Sequence, residues 1–392
     1  MTTSYETSDL IVFSHLRWDF VFQRPQHLLS RFAKYRRVFY FEEPVIGITE
    51  TPHLDSHHSE EGVLIVVPHL PSGLKSRDME QSLKELLDQF LLKEHIEVFT
   101  LWYYTPMALA FTDHLKPQAT LFDCIDEVSM FQEAPRNLLA METELLKRAD
   151  LVITGGHALY EAKRTSHHNV HPLPSSIDHE HFSKGRLDLV EPEDQINVPH
   201  PRVGFYGCID ERIDLDLVDK LAELRPEYQF IIIGPVVKLD STMLPIRPNI
   251  HYLGKKDYHV LPLYLSGWDC AIMPFALNDT TRFIAPTKTP ELLAAGKPIV
   301  STPIEDVVHP YGNGRMVHIA RSPVEFAECI EKAMNERAYD PEWLERVDAY
   351  LDENSWDSTF SQIAHLEKEL IQRRKPTVMT DYSAPIECSH SL

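Results

Sequence analysis

Lys288 and Glu291 stand three residues apart in the segment Phe275–Pro303, FALNDTTRFIAPTKTPELLAAGKPIVSTP. The pattern runs from a strand end through a polar loop, into a short helix, and out into another buried strand. A cation at such a helix start suits a diphosphate, and a carboxylate one turn on accepts two hydrogen bonds from a ribose diol. The pair points to a nucleotide-sugar. Thr289 reads as the N-cap, Pro290 as the first helical residue and Gly296 as the C-terminal stop. A plainer reading of the same residues is a carboxylate that complements the helix dipole beside a solvated loop cation.

The chain that must position these groups has 392 residues, 43% hydrophobic and 25% charged, which is a soluble globular composition with room for two cores. No run of about 18 apolar residues is present, so no transmembrane helix and no stable membrane insertion are expected. The first residues lack a basic region and a small-residue cleavage site, so no secretory signal is expected. The formal charge of −21 argues against nucleic-acid partners and against adsorption to an anionic bilayer. Cys124, Cys208, Cys270, Cys329 and Cys388 form no CxxC pair, and a reduced cytoplasmic setting fits them. The 21 histidines contain no HExxH arrangement, and the adjacent pairs His57–His58 and His167–His168 read as solvated. No metal site is expected.

Short apolar runs alternate with helical patterns along both halves. Leu10–Ser14, Arg37–Phe41, Leu64–Val67, Val98–Leu101, Thr120–Asp123 and Leu151–Thr154 are the first set of strands. Val203–Tyr206, Gln229–Ile233, Ile250–Leu253, Cys270–Pro274, Pro298–Ser301 and Met316–Ile319 are the second. Nearly continuous apolar strands separated by helices predict an α/β chain of two doubly wound, mostly parallel sheets. The expected division is a first domain at 1–185, a proline-rich charged linker at 186–201, a second domain at 202–354, a helix at 355–373, and a disordered tail at 374–392. Phe360, Ile363, Leu366 and Leu370 line one face of that last helix, which is long enough to return to the first domain. No GxGxxG follows either first strand, which disfavours a nicotinamide dehydrogenase.

Three passages together resemble a glycosyltransferase of the two-Rossmann-domain GT-B type. VHPLPSSIDHEHF (Val170–Phe182) is similar to the strand and turn that lead across the hinge in such enzymes. GFYGCIDERIDLDLVDKLAELRPEYQFIIIGP (Gly204–Pro235) resembles the first βαβ unit of the donor domain, and Phe275–Pro303 the donor-site loop and helix. A C-terminal helix crossing back to the first domain belongs to the same pattern. The passage SHLRWDFVFQRPQHLLSRFA is similar to a bacterial subgroup of polysaccharide and teichuronic-acid-type glycosyltransferases.

The resemblance implies transfer of a sugar from a nucleoside diphosphate, UDP above all, to a hydroxyl on a glycan or lipid-linked acceptor. It implies a metal-independent hexosyltransferase without a cofactor, working in the cytoplasm and meeting the inner membrane face only transiently. Lys288, Arg212 and Arg282 would hold the diphosphate, Glu291 the ribose, and Tyr258 would lie in the nucleobase region. Asp279, Thr280 and Thr281 would lie near the donor sugar, where many retaining members place a glutamate eight positions before Glu291. Phe283 occupies that position here. Asp126, after a first-domain strand, is the expected base for the acceptor hydroxyl, with Asp123 capping the turn. His15, Arg17, Trp18 and Arg24 would line the acceptor side. A nucleotide-sugar epimerase and a non-catalytic nucleotide-sugar-binding protein remain as alternatives.

Overall fold

The computed structural model describes residues 8–127, 137–237 and 239–374. The expected tail from 375 onward lies outside the described residues. The first sheet contains β1 (Asp9–Ser14), β2 (Val38–Glu42), β3 (Val45–Gly47), β4 (His53–His58), β5 (Leu64–Pro71), β6 (Phe99–Tyr103), β7 (Ala119–Cys124), β8 (Leu151–Thr154) and β9 (Val170–Pro172). Its order is β3-β5-β2-β1-β6-β7-β8-β9, with every pairing parallel except β4, which lies antiparallel on β5. The second sheet contains β10 (Arg202–Tyr206), β11 (Gln229–Ile233), β12 (Ile250–Gly254), β13 (Cys270–Met273), β14 (Ile299–Ser301) and β15 (His318–Ile319). Its order is β12-β11-β10-β13-β14-β15, all parallel.

Alternation within β1 shows why the strands read as unbroken apolar runs. Leu10 and Val12 enter one apolar cluster, Ile11 and Phe13 the cluster on the opposite face. Both faces are covered by helices, so both sets of side chains must be apolar. In contrast, β4 is exposed along nearly its whole length and has no such signature; sequence patterning did not find it. A helix at Pro341–Asp352 was missed as well.

The segment 186–201 is packed against the second sheet's domain. Gln195 is fully buried, accepting from the Trp268 indole N–H at 3.0 Å and donating to the Tyr264 carbonyl at 2.9 Å. Arg186 pairs with Asp348 at 2.5 Å and donates to the Ala294 carbonyl at 2.6 Å. Its charges and prolines look like those of a tether, but side-chain hydrogen bonds fasten it down.

The C-terminal helix Trp356–Arg374 returns to the first sheet and buries Trp356, Ile363 and Ala364 in the Leu10/Val12 cluster. One of its carboxylates fixes the register. Glu367, 1% exposed, accepts from both terminal Arg36 guanidinium nitrogens at 2.8 and 2.7 Å and from the Thr100 hydroxyl at 2.6 Å. Removing one partner of a buried pair leaves the other charge stranded. Glu367→Ala is therefore expected to cost about 3–5 kcal/mol of stability, read as a lower urea midpoint for the first-domain transition. An unchanged midpoint would show that the helix is held by its apolar face alone.

Candidate active site

Parallel pairing carries the carboxyl ends of both strand sets to one cleft, where ligands of open α/β sheets bind. The second-domain wall is built around helix Lys288–Ala294. This helix starts earlier than the sequence suggests. Thr287 is its N-cap residue, whereas Thr289 is fully buried with its hydroxyl 3.3 Å from the Met273 sulfur. Pro290 is tolerated because first-turn amides have no intrahelical acceptor. Gly296, at φ +67°, stops the helix as expected.

Lys288 Nζ lies 3.1 Å from Glu291 Oε2 and 5.1 Å from the centre of the Tyr206 ring. The Tyr206 hydroxyl donates to the same carboxylate oxygen at 2.5 Å. Burial and the adjacent Glu291 push the Tyr206 phenol well above its ordinary pKa, so it remains a donor. Glu291 is 7% exposed while Lys288 is half-buried. The cation thus has one side toward the cleft. Tyr206 holds the carboxylate, a role that sequence spacing could not reveal because the two are 85 residues apart.

After β10 the backbone turns at Gly207, φ +149°. A Cβ on Gly234 would stand 1.8 Å from the Gly207 carbonyl oxygen, so this close crossing of two strand ends needs glycine. Beyond it, Arg212 forks onto Asp210, with Nε 2.9 Å from Oδ1 and a terminal nitrogen 2.6 Å from Oδ2. Across the cleft, Asp126 follows β7 and is half-buried. Burial raises its carboxyl above the ordinary aspartate range, Arg212 pulls it back down, and Asp210 adds to the rise. Asp126 and Arg212 thus influence each other electrostatically from different domains.

Several expected site residues lie elsewhere. Arg24 is withdrawn from the acceptor side: at 3% exposure its Nε pairs with Asp123 at 2.9 Å and a terminal nitrogen donates to the Leu173 carbonyl at 2.8 Å. The anion at that helix start is the protein's own Asp123, whose carboxyl burial still raises despite Arg24. Trp18 is 4% exposed and packs edge-on against Tyr40 in the core, so it does not line the acceptor side either. Thr281 is 1% exposed and its hydroxyl donates to the Ala276 carbonyl, which removes it from the donor-sugar surface.

Tyr258 is packed between His181, with ring centres 4.4 Å apart, and Phe22 and His27 of the first domain. Its side chain belongs to an interdomain aromatic cluster that also stacks His27 on Trp356 at 4.5 Å. Arg17 reaches Glu42 at 2.7 Å, and half-buried His15 sits just past the end of β1. Asp279 and Arg282 are exposed, Arg282 lying over the Phe283 ring at 5.1 Å, and Thr280 donates to Asn278 at 2.5 Å. Phe283 itself packs on the first domain's Ile11/Phe13 cluster.

A second contact between domains had no sequence signal. Asp306, after β14, accepts from the His157 amide at 2.9 Å and the Ala158 amide at 3.3 Å, capping a first-domain helix. Gly156 permits it, since a Cβ there would lie 2.3 Å from Asp306 Oδ2 and 2.7 Å from the Ala285 Cβ. A cavity of about 1000 Å³ also lies among β14, β15, Arg315, Trp343 and Arg346, but none of the residues above lines it. Size does not select the site here; the converging charges do.

Residues 200–336 match the family described as glycosyl transferases group 1. This part of the chain is a group 1 glycosyl transferase domain. Over 292 residues the chain is 24% identical to TuaH of Bacillus subtilis (strain 168), assigned as a teichuronic acid biosynthesis glycosyltransferase; the match covers 67% of this chain and 70% of TuaH. The whole architecture is similar to sucrose-phosphate synthase from Thermosynechococcus elongatus, with a TM-score of 0.69 at 15% identity over 93% of this chain and 100% of that one. It is equally similar to HepE of Anabaena in complex with UDP and glucose, with a TM-score of 0.69 at 12% identity over 92% and 100% of the two chains. The fold is GT-B.

If the Gly156–Asp306 contact holds the domains together, Gly156→Val should open the cleft. Solution scattering is expected to show a larger radius of gyration than wild type. An unchanged radius would mean that the other contacts suffice.

Proposed function

We propose that this group 1 glycosyltransferase moves a hexosyl group from a UDP-linked donor to a hydroxyl of a glycan or lipid-linked acceptor in cell-surface polysaccharide synthesis. The observation that carries the reading is the Lys288–Glu291–Tyr206 arrangement on the wall of a GT-B cleft. Kinship with TuaH and likeness to a UDP-bound structure support the donor class and the kind of acceptor.

In this reading the donor diphosphate displaces Glu291 from Lys288, and the freed carboxylate, still held by Tyr206, accepts from the ribose hydroxyls. The bond between the anomeric carbon and the diphosphate oxygen breaks, its electron pair moving onto the diphosphate. The acceptor oxygen bonds to the anomeric carbon and its proton passes to Asp126. Lys288 neutralises the departing charge, a term worth most where water is excluded. Arg212 is engaged by Asp210, so its first role is to keep Asp126 ionised; contact with the diphosphate requires that fork to open. Arg282 supplies a more distant positive charge. The reading assigns charge compensation to side chains and needs no resident metal or cofactor. It places the enzyme in the cytoplasm, with transient access to lipid-linked acceptors at the inner membrane face; among the described residues no helix is long and apolar enough to cross a membrane.

Steady-state assays with UDP-sugars test the assignment. Asp126→Asn is expected to lower kcat by about 10²–10⁴-fold and Lys288→Ala by about 10²-fold. Wild-type turnover in either variant would remove that residue from the chemistry. The pH profile gives a second check. A base must be ionised, so kcat/KM should fall as pH drops through a value above that of an ordinary aspartate. Arg212→Gln removes the charge that lowers the Asp126 pKa and should shift this acid limb to higher pH. A shift to lower pH, or none, would contradict the coupling.

A further inference from the structure

The exposed hairpin at the edge of the first sheet brings together three side chains that are dispersed in sequence. His53 on β4 is the direct cross-strand partner of His69 on β5, and Asp55 lies two residues along β4 on the same face. The two imidazole rings stack with centres 4.9 Å apart and planes 7° from parallel. Asp55 bridges them: Oδ2 is 3.1 Å from His69 Nε2, and Oδ1 is 4.0 Å from His53 Nε2. One nitrogen from each ring and a carboxylate oxygen lie within 4.8 Å of one another.

We propose that His53, Asp55 and His69 form a binding site for a divalent transition cation of the zinc type. Two imidazoles and a carboxylate, with a fourth position left to water, are a zinc donor set. The His53 ring is already arranged for it. Its Nδ1 lies 3.1 Å from the Thr51 carbonyl oxygen and 3.4 Å from the Thr49 hydroxyl; in the tautomer that donates to the carbonyl, Nε2 presents its lone pair toward Asp55. A metal-bound histidine whose other nitrogen donates to a backbone carbonyl is the usual supporting arrangement. Ligand atoms around tetrahedral zinc stand about 3.3 Å apart, so the three must close by roughly an ångström. His53 and Asp55 are exposed and His69 is partly so, which leaves their side chains free to rotate.

Binding through His69 Nε2 replaces that nitrogen's 3.1 Å contact with Asp55 by two bonds to one cation, the neutral ring keeping its hydrogen on Nδ1. The cation would staple β4, an edge strand hydrogen-bonded to β5, against the rest of the sheet. It would act on the same face where His57 Nε2 meets Asp19 Oδ2 at 3.4 Å, and Asp19 belongs to the loop that carries Arg17. The site is separate from the cleft and does not depend on the glycosyltransferase reading. No spacing motif could announce it, because only the antiparallel register places residue 53 opposite residue 69.

The test uses the full-length chain with no affinity-tag histidines. Equilibrium dialysis against Zn²⁺ should load one ion per chain, and Co²⁺ should give the visible absorption of a tetrahedral nitrogen–oxygen site. The double variant His53→Ala/His69→Ala is expected to lose that ion and the Co²⁺ band, and Asp55→Asn to weaken binding about tenfold or more. His167→Ala/His168→Ala, a control histidine pair elsewhere, should retain both. His53, Asp55 and His168 are exposed and His69 and His167 partly so, and circular dichroism without metal checks that each variant is folded. Absence of stoichiometric Zn²⁺ uptake by wild type, or equal uptake by the double variant, overturns the site.

Discussion

Parallel strand pairing is the constraint from which the cleft follows. In the second sheet every strand points the same way, and in the first only β4 departs. The loops after the parallel strands therefore collect at one end of each sheet. Asp126 follows β7, Gly156 follows β8, Arg212 follows β10 and Asp306 follows β14. Apolar helices cover the sheet faces, so the strand ends are where polar groups can gather without being buried among hydrocarbon. The returning helix, fixed by Glu367 between Arg36 and Thr100, ties the chain end back to the first sheet.

The electrostatics of that cleft are those of paired charges. Lys288 rests on Glu291, Arg212 on Asp210 and Arg17 on Glu42. In a chain of net charge −21, an anion is attracted only where a cation can exchange partners. Lys288 meets that condition best, because Tyr206 can hold Glu291 in place when the lysine turns to a ligand. Arg24 meets it least: its partner Asp123 is fully buried, and parting them would strand two charges.

Much of this was legible in the sequence, and what was missed has physical reasons. Strands buried on both faces announce themselves by composition, so both sheets could be read. The neighbouring residues 288 and 291 could be paired because one helical turn fixes their relation. Contacts between distant segments could not. Tyr206 on Glu291, Asp123 on Arg24 and Asp306 on the His157 amide each depend on tertiary packing. Burial likewise reassigned Trp18 and Thr281, which are polar or amphipathic enough to pass as surface residues. The exposed strand β4 lacks a hydrophobic period because Leu54 alone of its residues packs on an apolar cluster. Phe283 was legible as a departure from the glutamate pattern, but its packing on the first domain was not.

In the proposed function, Lys288 and Glu291 hold the nucleotide. A crystal structure of the chain with UDP tests it most directly. Lys288 Nζ is expected within hydrogen-bond distance of a diphosphate oxygen, the Glu291 carboxylate on the ribose hydroxyls, and the 3.1 Å Lys288–Glu291 contact opened. UDP seated away from both residues, with that contact intact, would contradict it.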